Sequence, residues 1–279
     1  MVYTLALSKS NYKIAPVDIN RLKVHEEAIT PFVENLTNSI LREEFLRHPV
    51  IVDKEKLVVL DGTHRIMALR KIDCSSAPAC LVNYQDSRIK LKSFDRLAYS
   101  DMGVILDLCS QLGFSTIDCN LKEVDKILRM RKADLALVSD EEVFLLDGGA
   151  ENLREISRIV WKLEEKAKKM GIEVGYSTKV DFSSEVKRGS VVIKMPAASK
   201  DEVVNAALSG EFFAPKTTRH IIPSRPMNIK APLELLKKED LREADELLTK
   251  RLQESKVKQV PPREFPENRI YEEKLCVFN

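Results

Sequence analysis

The chain has 279 residues, 44% hydrophobic and 32% charged, enough for one large domain or two modest ones. Its 45 basic and 43 acidic residues nearly cancel to +2, which argues against a general nucleic-acid coat or a basic membrane binder. No apolar run reaches the roughly 20 residues of a membrane-spanning helix, and the five cysteines (Cys74, Cys80, Cys109, Cys119, Cys276) have no CxxC or zinc spacing, which suits reduced, mostly buried thiols in a cytoplasm.

The N-terminus, MVYTLALSKSNYKIAP, carries a short apolar patch without a signal-peptide plan. Residues 12–31 read as a short strand, a turn and an extended segment up to Pro31. FVENLTNSILREE places Phe32, Leu36, Ile40 and Leu41 at helical spacing. HPVIVD and KLVVLD predict two strands joined by a KEK hairpin turn. A helix follows over about 63–71, then a strand in PACLVNY. GVILDLCSQLGF predicts a helix that Gly113 ends.

From about Leu121 the pattern restarts. LKEVDKILRMRK reads as a helix, and ADLALVSD and EVFLLD as a hairpin. AENLREISRIVWKLEEKAKKMG is a long amphipathic helix with Gly171 as its C-terminal stop. IEVGYSTKV and SVVIKMP add two strands, so residues 119–199 read as a compact α+β unit. SKDEVVNAALSG is a helix. EFFAPKTTRHIIPSRPM, residues 211–227, reads as a loop. Residues 232–254 predict one charged helix, and residues 260–279 an extended, Pro-rich tail whose apolar end packs back on the body.

Three clusters carry chemistry. In LVVLDGTHRIMAL a strand meets Asp61-Gly62 and turns at once into a helix opened by Thr63, His64 and Arg65. The first N–H groups of a helix have no intrahelical partners and sit at its positive end, so they bind anions. Gly62 permits close approach, and His64 and Arg65 add donors suited to phosphate. Asp61 at the strand's end suits a Mg²⁺ contact or the orientation of a nucleophile. Local chemistry leaves this phosphate grip and a simple capped turn with a surface arginine both open.

His25-Glu26-Glu27 is the second cluster. Paired acids in such a segment are ordinarily solvated, but a carboxylate near a phosphate site becomes a candidate general base. The third is PKTTRHIIPSR, with Lys216, Thr217, Thr218, Arg219, His220 and Arg225 close together and Pro215 and Pro223 restricting the backbone. That density of donors suits capture of a carboxylate or phosphate. Arg47-His48-Pro49 is a weaker candidate that also suits the start of a strand. Asp147-Gly148-Gly149 repeats the strand–DG theme without a following His or Arg and reads as a structural turn, and Trp161 as packing.

With these residues together, the sequence resembles the free L-serine kinase family of archaeal type, built on the ParB/sulfiredoxin fold. DG-x-HR-x-x-AL looks like the phosphate box shared across that fold. The HEE run, the RHP run and PKTTRHIIPSRP are the features more specific to the serine kinases. The likeness spans roughly residues 13–85 and 205–230, with a looser match at YEEKLCVF. It implies an α/β (α+β) protein: a ParB/sulfiredoxin-like catalytic domain over 1–118, a smaller α+β domain over 119–199, and a return segment over 200–279 that completes a site in the cleft between them.

The resemblance also implies roles. Glu26 would take the proton from the serine hydroxyl, and Asp61 would be the second essential carboxylate. Gly62, Thr63, His64 and Arg65 would grip the nucleotide phosphates. Lys216, Thr218, Arg219 and His220 would hold the amino acid's carboxylate or the transferring phosphate. The substrates would be L-serine and an adenine nucleotide with Mg²⁺, the metal lying near Asp61 or on the phosphates. The product would be O-phospho-L-serine, a precursor of cysteine. Some members read DGHHR where this chain has Thr63; members differ in using ATP or ADP, and ATP is the expected donor here. The expected protein is a cytoplasmic, thermophile-like enzyme with no nucleic-acid or membrane partner. The alternative is a ParB-like nucleotide switch or DNA-partition protein, which would want a helix-turn-helix and a basic surface. The chain instead turns into an α+β unit with balanced charge.

Overall fold

The computed structural model describes residues 3–7, 10–177, 189–262 and 270–279. It is a mixed α/β protein of two compact units: Met1–Lys90 with Lys200–Phe212 and His220–Asn279, and Leu91–Ser199 with Phe213–Arg219. Among the described residues no helix is long and apolar enough to cross a membrane.

The first unit is built on a five-stranded sheet in the order β1 (Tyr3–Leu7), β2 (Ser10–Asp18), β6 (Ser76–Val82), β4 (Val50–Asp53), β5 (Val59–Asp61). β4 and β6 run parallel, and their neighbours pair antiparallel. A parallel pair needs a long crossover; the chain makes it through β5 and helix α2 (Thr63–Lys71). All four β4 side chains are buried: Val50, Ile51 and Val52 form an apolar run, and the Asp53 carboxylate accepts from Lys56 N and Tyr84 N. β5 is shorter than its sequence suggests, because Leu57 takes φ +56° and the register shifts between Ile51 and Val52. Helix α1 (Thr30–Glu43) starts with Pro31 in its first turn, ends at the left-handed Glu44 and packs on α2. A two-stranded pair of β3 (Phe45–Leu46) and β16 (Ala231–Pro232) follows it.

Chain order in the second unit explains where the units divide. After β7 (Lys90–Ser93), strand β8 (Asp95–Ala98) pairs with β12 (Val174–Ser177) and β13 (Val191–Lys194). β10 (Leu135–Val138), β11 (Val143–Asp147) and β9 (Ser115–Asp118) complete an antiparallel six-stranded sheet, β12-β8-β13-β10-β11-β9. The break therefore falls at Lys90/Leu91 rather than 118/119, since β8 and β9 both pair into this sheet. Helices α3 (Met102–Ser110), α4 (Leu121–Arg129) and α5 (Leu153–Lys169) belong to the same unit. The DGG turn is structural: Asp134 Oδ2 accepts from the N–H groups of Gly148 (2.8 Å) and Ala150 (3.2 Å).

Helix α6 (Lys200–Ser209) returns to the first unit. The expected 211–227 loop contains two strands, β14 (Thr218–Ile221) and β15 (Arg225–Met227). β15 pairs parallel with β18 (Leu275–Phe278), which lies between it and β17 (Val257–Val260). The tail's apolar end is thus the fully buried centre of a three-stranded sheet. Pro226 hid β15, but proline is tolerated on an edge strand, which β15 is. The single helix expected over 232–254 is two, α7 (Leu233–Leu236) and α8 (Leu241–Glu254), because the Asp240 carboxylate accepts from Arg242 N and starts a new helix. Residues 178–180 of one expected strand and 263–269 of the expected tail lie outside the described residues.

Candidate functional site

β5 ends at Asp61, Gly62 takes φ +115°, and α2 begins at Thr63. An added Cβ at Gly62 would lie 2.8 Å from Val50 Cγ1 and 3.0 Å from Arg65 Nε, so both the backbone angle and the crossing guanidinium require glycine. No side chain caps the start of α2. Its first-turn N–H groups therefore present positive potential at the turn.

Asp61 is clamped. Its Oδ2 accepts from Arg65 Nη2 at 2.8 Å and from Arg225 Nη1 at 2.7 Å. Arg65 Nη1 donates as well to the Pro49 carbonyl, at the head of β4. Arg225 is buried and also donates from Nε to Glu273 Oε1 (2.8 Å) and from Nη2 to the His220 carbonyl (2.7 Å).

The HEE segment is stitched alongside this turn at three points. Lys23 exchanges backbone hydrogen bonds with the strand before it, donating to Leu57 O (3.0 Å) and accepting from Val59 N (2.8 Å). His25 Nδ1 bonds the Val59 carbonyl at 2.9 Å. Ile29 N donates to His64 Nε2 at 3.0 Å. A carbonyl only accepts, so the His25 proton is on Nδ1; His64 Nε2 accepts, so a neutral His64 carries its proton on Nδ1. Arg70, in the last turn of α2, holds the preceding residues through the carbonyls of Ile19 and Leu22. Glu26 thus comes beside the turn with its Oε1 3.9 Å from His25 Nε2.

His220 joins the same unit. Its Nε2 is 2.8 Å from the Tyr84 hydroxyl, and its ring meets His25 edge-on with centroids 5.7 Å apart. Burial holds both imidazoles below the ordinary histidine range, most strongly His220, although Asp61 pulls each upward. Burial also pushes the Tyr84 phenol far above its usual value, so it stays protonated. Lys200 braces Tyr84 from α6, donating to its carbonyl (2.7 Å) and to that of Asp86 (2.8 Å).

The KTTRH run is divided between the units: Lys216, Thr218 and Arg219 lie in the second, His220 in the first. In the second unit the run is firmly held. Arg96 Nη2 donates to Pro215 O (3.2 Å), Ala214 N donates to Ser157 Oγ (3.1 Å), and Lys216 Nζ lies over the rings of Phe94 and Tyr176. Thr218 and Arg219 are buried there. Of the expected site residues, the structure brings together Glu26, Asp61, Gly62, Thr63, His64, Arg65 and His220. Sequence reasoning counted Arg225 among the donors of the third cluster without linking it to Asp61, and gave no role to Glu273, Tyr84 or Lys200.

Two pockets of the first unit flank the start of α2. One, about 360 Å³, combines Leu36, Ile40 and Leu46 with Arg47, His48 and Arg65. The other, about 610 Å³, is lined by Glu26, Glu27, Thr63 and Met67, among others. Thr63 and Arg65 thus serve different pockets from one helical turn.

No protein-family model matches the chain. It is 25% identical over 241 residues to an ADP-dependent L-serine kinase of Thermococcus kodakarensis, covering 84% of this chain and 96% of that one. It is 26% identical over 232 residues to an ATP-dependent L-serine kinase of Staphylothermus marinus, covering 79% and 90%. The structure of a free serine kinase in complex with AMP superposes with a TM-score of 0.67 at 23% identity, over 80% of this chain and 93% of that one. The chain has the fold of that structure.

Proposed function

We propose that this protein is a free L-serine kinase that moves the terminal phosphoryl group of an adenine nucleotide to the serine hydroxyl, giving O-phospho-L-serine for cysteine synthesis. The observation that carries this reading is the stitching of the HEE segment to the Asp61–Arg65 turn, which sets a carboxylate beside a helix start and its arginine. The serine kinase names of the two relatives support it.

In this reading the nucleotide uses the pocket whose apolar side chains end in Arg47, His48 and Arg65, since a nucleoside needs apolar surface and its phosphates need cations. Its terminal phosphate reaches the first turn of α2. Serine approaches from the side of Glu26 and Thr63. Glu26 takes the hydroxyl proton as the serine oxygen bonds to phosphorus and the bond to the bridging oxygen of the nucleotide breaks. Of the KTTRH run, His220 is the member that belongs to this unit, and in this reading it serves the amino acid's carboxylate or the moving phosphate. Asp61 keeps Arg65 aimed at the phosphates.

Among the described residues no group of three or more His, Cys, Asp or Glu side chains is arranged to hold a metal ion, and Asp61 Oδ2 already serves two guanidinium groups. Mg²⁺ fits better on the nucleotide phosphates, where it would neutralise charge on the transferring group. ATP is the proposed donor, and ADP the alternative.

The test is incubation with Mg²⁺, L-serine and either ATP or ADP, with O-phosphoserine read by mass spectrometry. Product from one donor identifies it. Glu26→Gln is expected to abolish turnover while nucleotide still binds; undiminished turnover would remove Glu26 from the mechanism. Nucleotide binding without product in the native protein would favour a ParB-like switch instead.

A further inference from the structure

Arg225 is 1% exposed, and a guanidinium is retained in such surroundings only when its donors are matched. Here they are matched to three different parts of the site. Nη1 reaches Asp61 at 2.7 Å, Nη2 reaches the His220 carbonyl at 2.7 Å, and Nε reaches Glu273 at 2.8 Å. The guanidinium also stacks over Tyr271, 5.4 Å from its centroid. Glu273 is 8% exposed and accepts from Ile222 N as well, at 3.3 Å.

We propose that Arg225 is the positioning residue of the phosphate turn and that Glu273 orients it. The inference rests on the reading of Asp61–Arg65 as a nucleotide-phosphate grip. The chain of contacts has a direction. Glu273 sets the plane of Arg225; Arg225 shares Asp61 Oδ2 with Arg65; Asp61 and the Pro49 carbonyl together aim Arg65. The second arm of Arg225 fixes the main chain at His220, where the KTTRH run enters the unit. The C-terminal segment thereby forms part of the site through Glu273, far in sequence from the turn it serves. A lysine cannot replace this arginine, because one ammonium cannot span three acceptors lying in the directions of a planar fork.

The experiment measures ADP and ATP affinity by titration calorimetry, and O-phosphoserine formation, for the native protein, Arg225→Ala, Arg225→Lys and Glu273→Gln. Each is measured with and without millimolar guanidinium. Arg225→Ala is expected to lose at least tenfold in nucleotide affinity, and kcat with it. Guanidinium should restore most of that loss and leave the native protein unchanged. Arg225→Lys should remain impaired, and Glu273→Gln should lose severalfold. A merely structural arginine would give a less stable protein without rescue. A folded Arg225→Ala with native affinity and turnover would overturn the proposal, as would a loss that guanidinium does not touch. If Arg225→Ala fails to fold, Arg225→Lys and Glu273→Gln decide: native affinity in both overturns it. Nucleotide binding with no phosphoserine from the native protein would refute the kinase reading alone.

Discussion

Gly62→Ala perturbs the turn at its tightest point. Alanine is strained at φ +115°, which costs on the order of 1–2 kcal/mol by analogy with the left-handed penalty. The added methyl would also sit 2.8 Å from Val50 Cγ1, a buried β-strand atom, and 3.0 Å from the Arg65 guanidinium. Relieving such overpacking costs roughly 1–3 kcal/mol. The sum is about 2–5 kcal/mol, a large part of a domain's stability. Gly149→Ala is the internal control: its φ is +72° but nothing lies within 4 Å of the new methyl, so only the backbone cost applies. The difference in urea unfolding free energy between the two variants should therefore be about 1–3 kcal/mol. Because the methyl pushes on Arg65, Gly62→Ala should also weaken ADP and ATP binding in a calorimetric titration, whereas Gly149→Ala should not. Equal destabilisation by the two variants, with nucleotide affinity unchanged, would refute both the contact argument and the placement of phosphate at this turn.

Tyr84→Phe removes the bonding partner of His220 Nε2, and Nδ1 is already buried without one. A cost of about 1–3 kcal/mol is expected in denaturant unfolding, and a cost near zero would show that the phenol is not holding the ring. His25 and His220 both titrate below the ordinary value of 6.5. The unfolded chain therefore takes up protons that the native protein refuses: stability from these rings is full above about pH 6.5 and falls as the pH drops below it. Urea midpoints should decline from about pH 7 to 5, and His220→Asn should flatten part of that slope; an unchanged slope would remove His220 as a source. Cys119 is half-buried, whereas the other four cysteines are buried, with the thiols of Cys74 and Cys109 pushed up to about 11 and about 12. A thiol reagent should modify Cys119 first in the native protein and the rest only on unfolding, as peptide mapping would show.

Local signals were legible wherever the structure is local. The Val50–Val52 run, the DG turn and the helix from Thr63 to Lys71 declare themselves through apolar continuity, glycine and helical spacing. The division between units was not legible, because β8 joins the second sheet through pairings with β12 and β13 about 80 to 95 residues away, which no window of sequence contains. The same holds for β15 and β18, joined across 50 residues of chain at Pro226 and Cys276. At the site, the spacing of Asp61, Gly62 and Arg65 suited an anion grip and a simple capped turn alike. Nothing local could reveal that Arg225, held by Glu273, shares the Asp61 carboxylate with Arg65.

The clamp on Asp61 also separates the work of the two carboxylates. On residue type, Glu26 was a candidate general base and Asp61 a candidate for metal contact or for orienting a nucleophile. Asp61 Oδ2 accepts from two guanidinium groups, so its lone pairs are committed to orienting cations, and moving it would disturb Arg65 and Arg225 together. Glu26 is placed differently. Its backbone segment is fixed by bonds at Lys23, His25 and Ile29, while its side chain lines the larger pocket and is 13% exposed. A general base needs a fixed origin and a carboxylate that can reach an incoming hydroxyl. In the proposed reading, rigidity in Asp61 and reach in Glu26 are therefore complementary: one would keep the cations aimed at a phosphate, and the other would face the space from which the acceptor arrives.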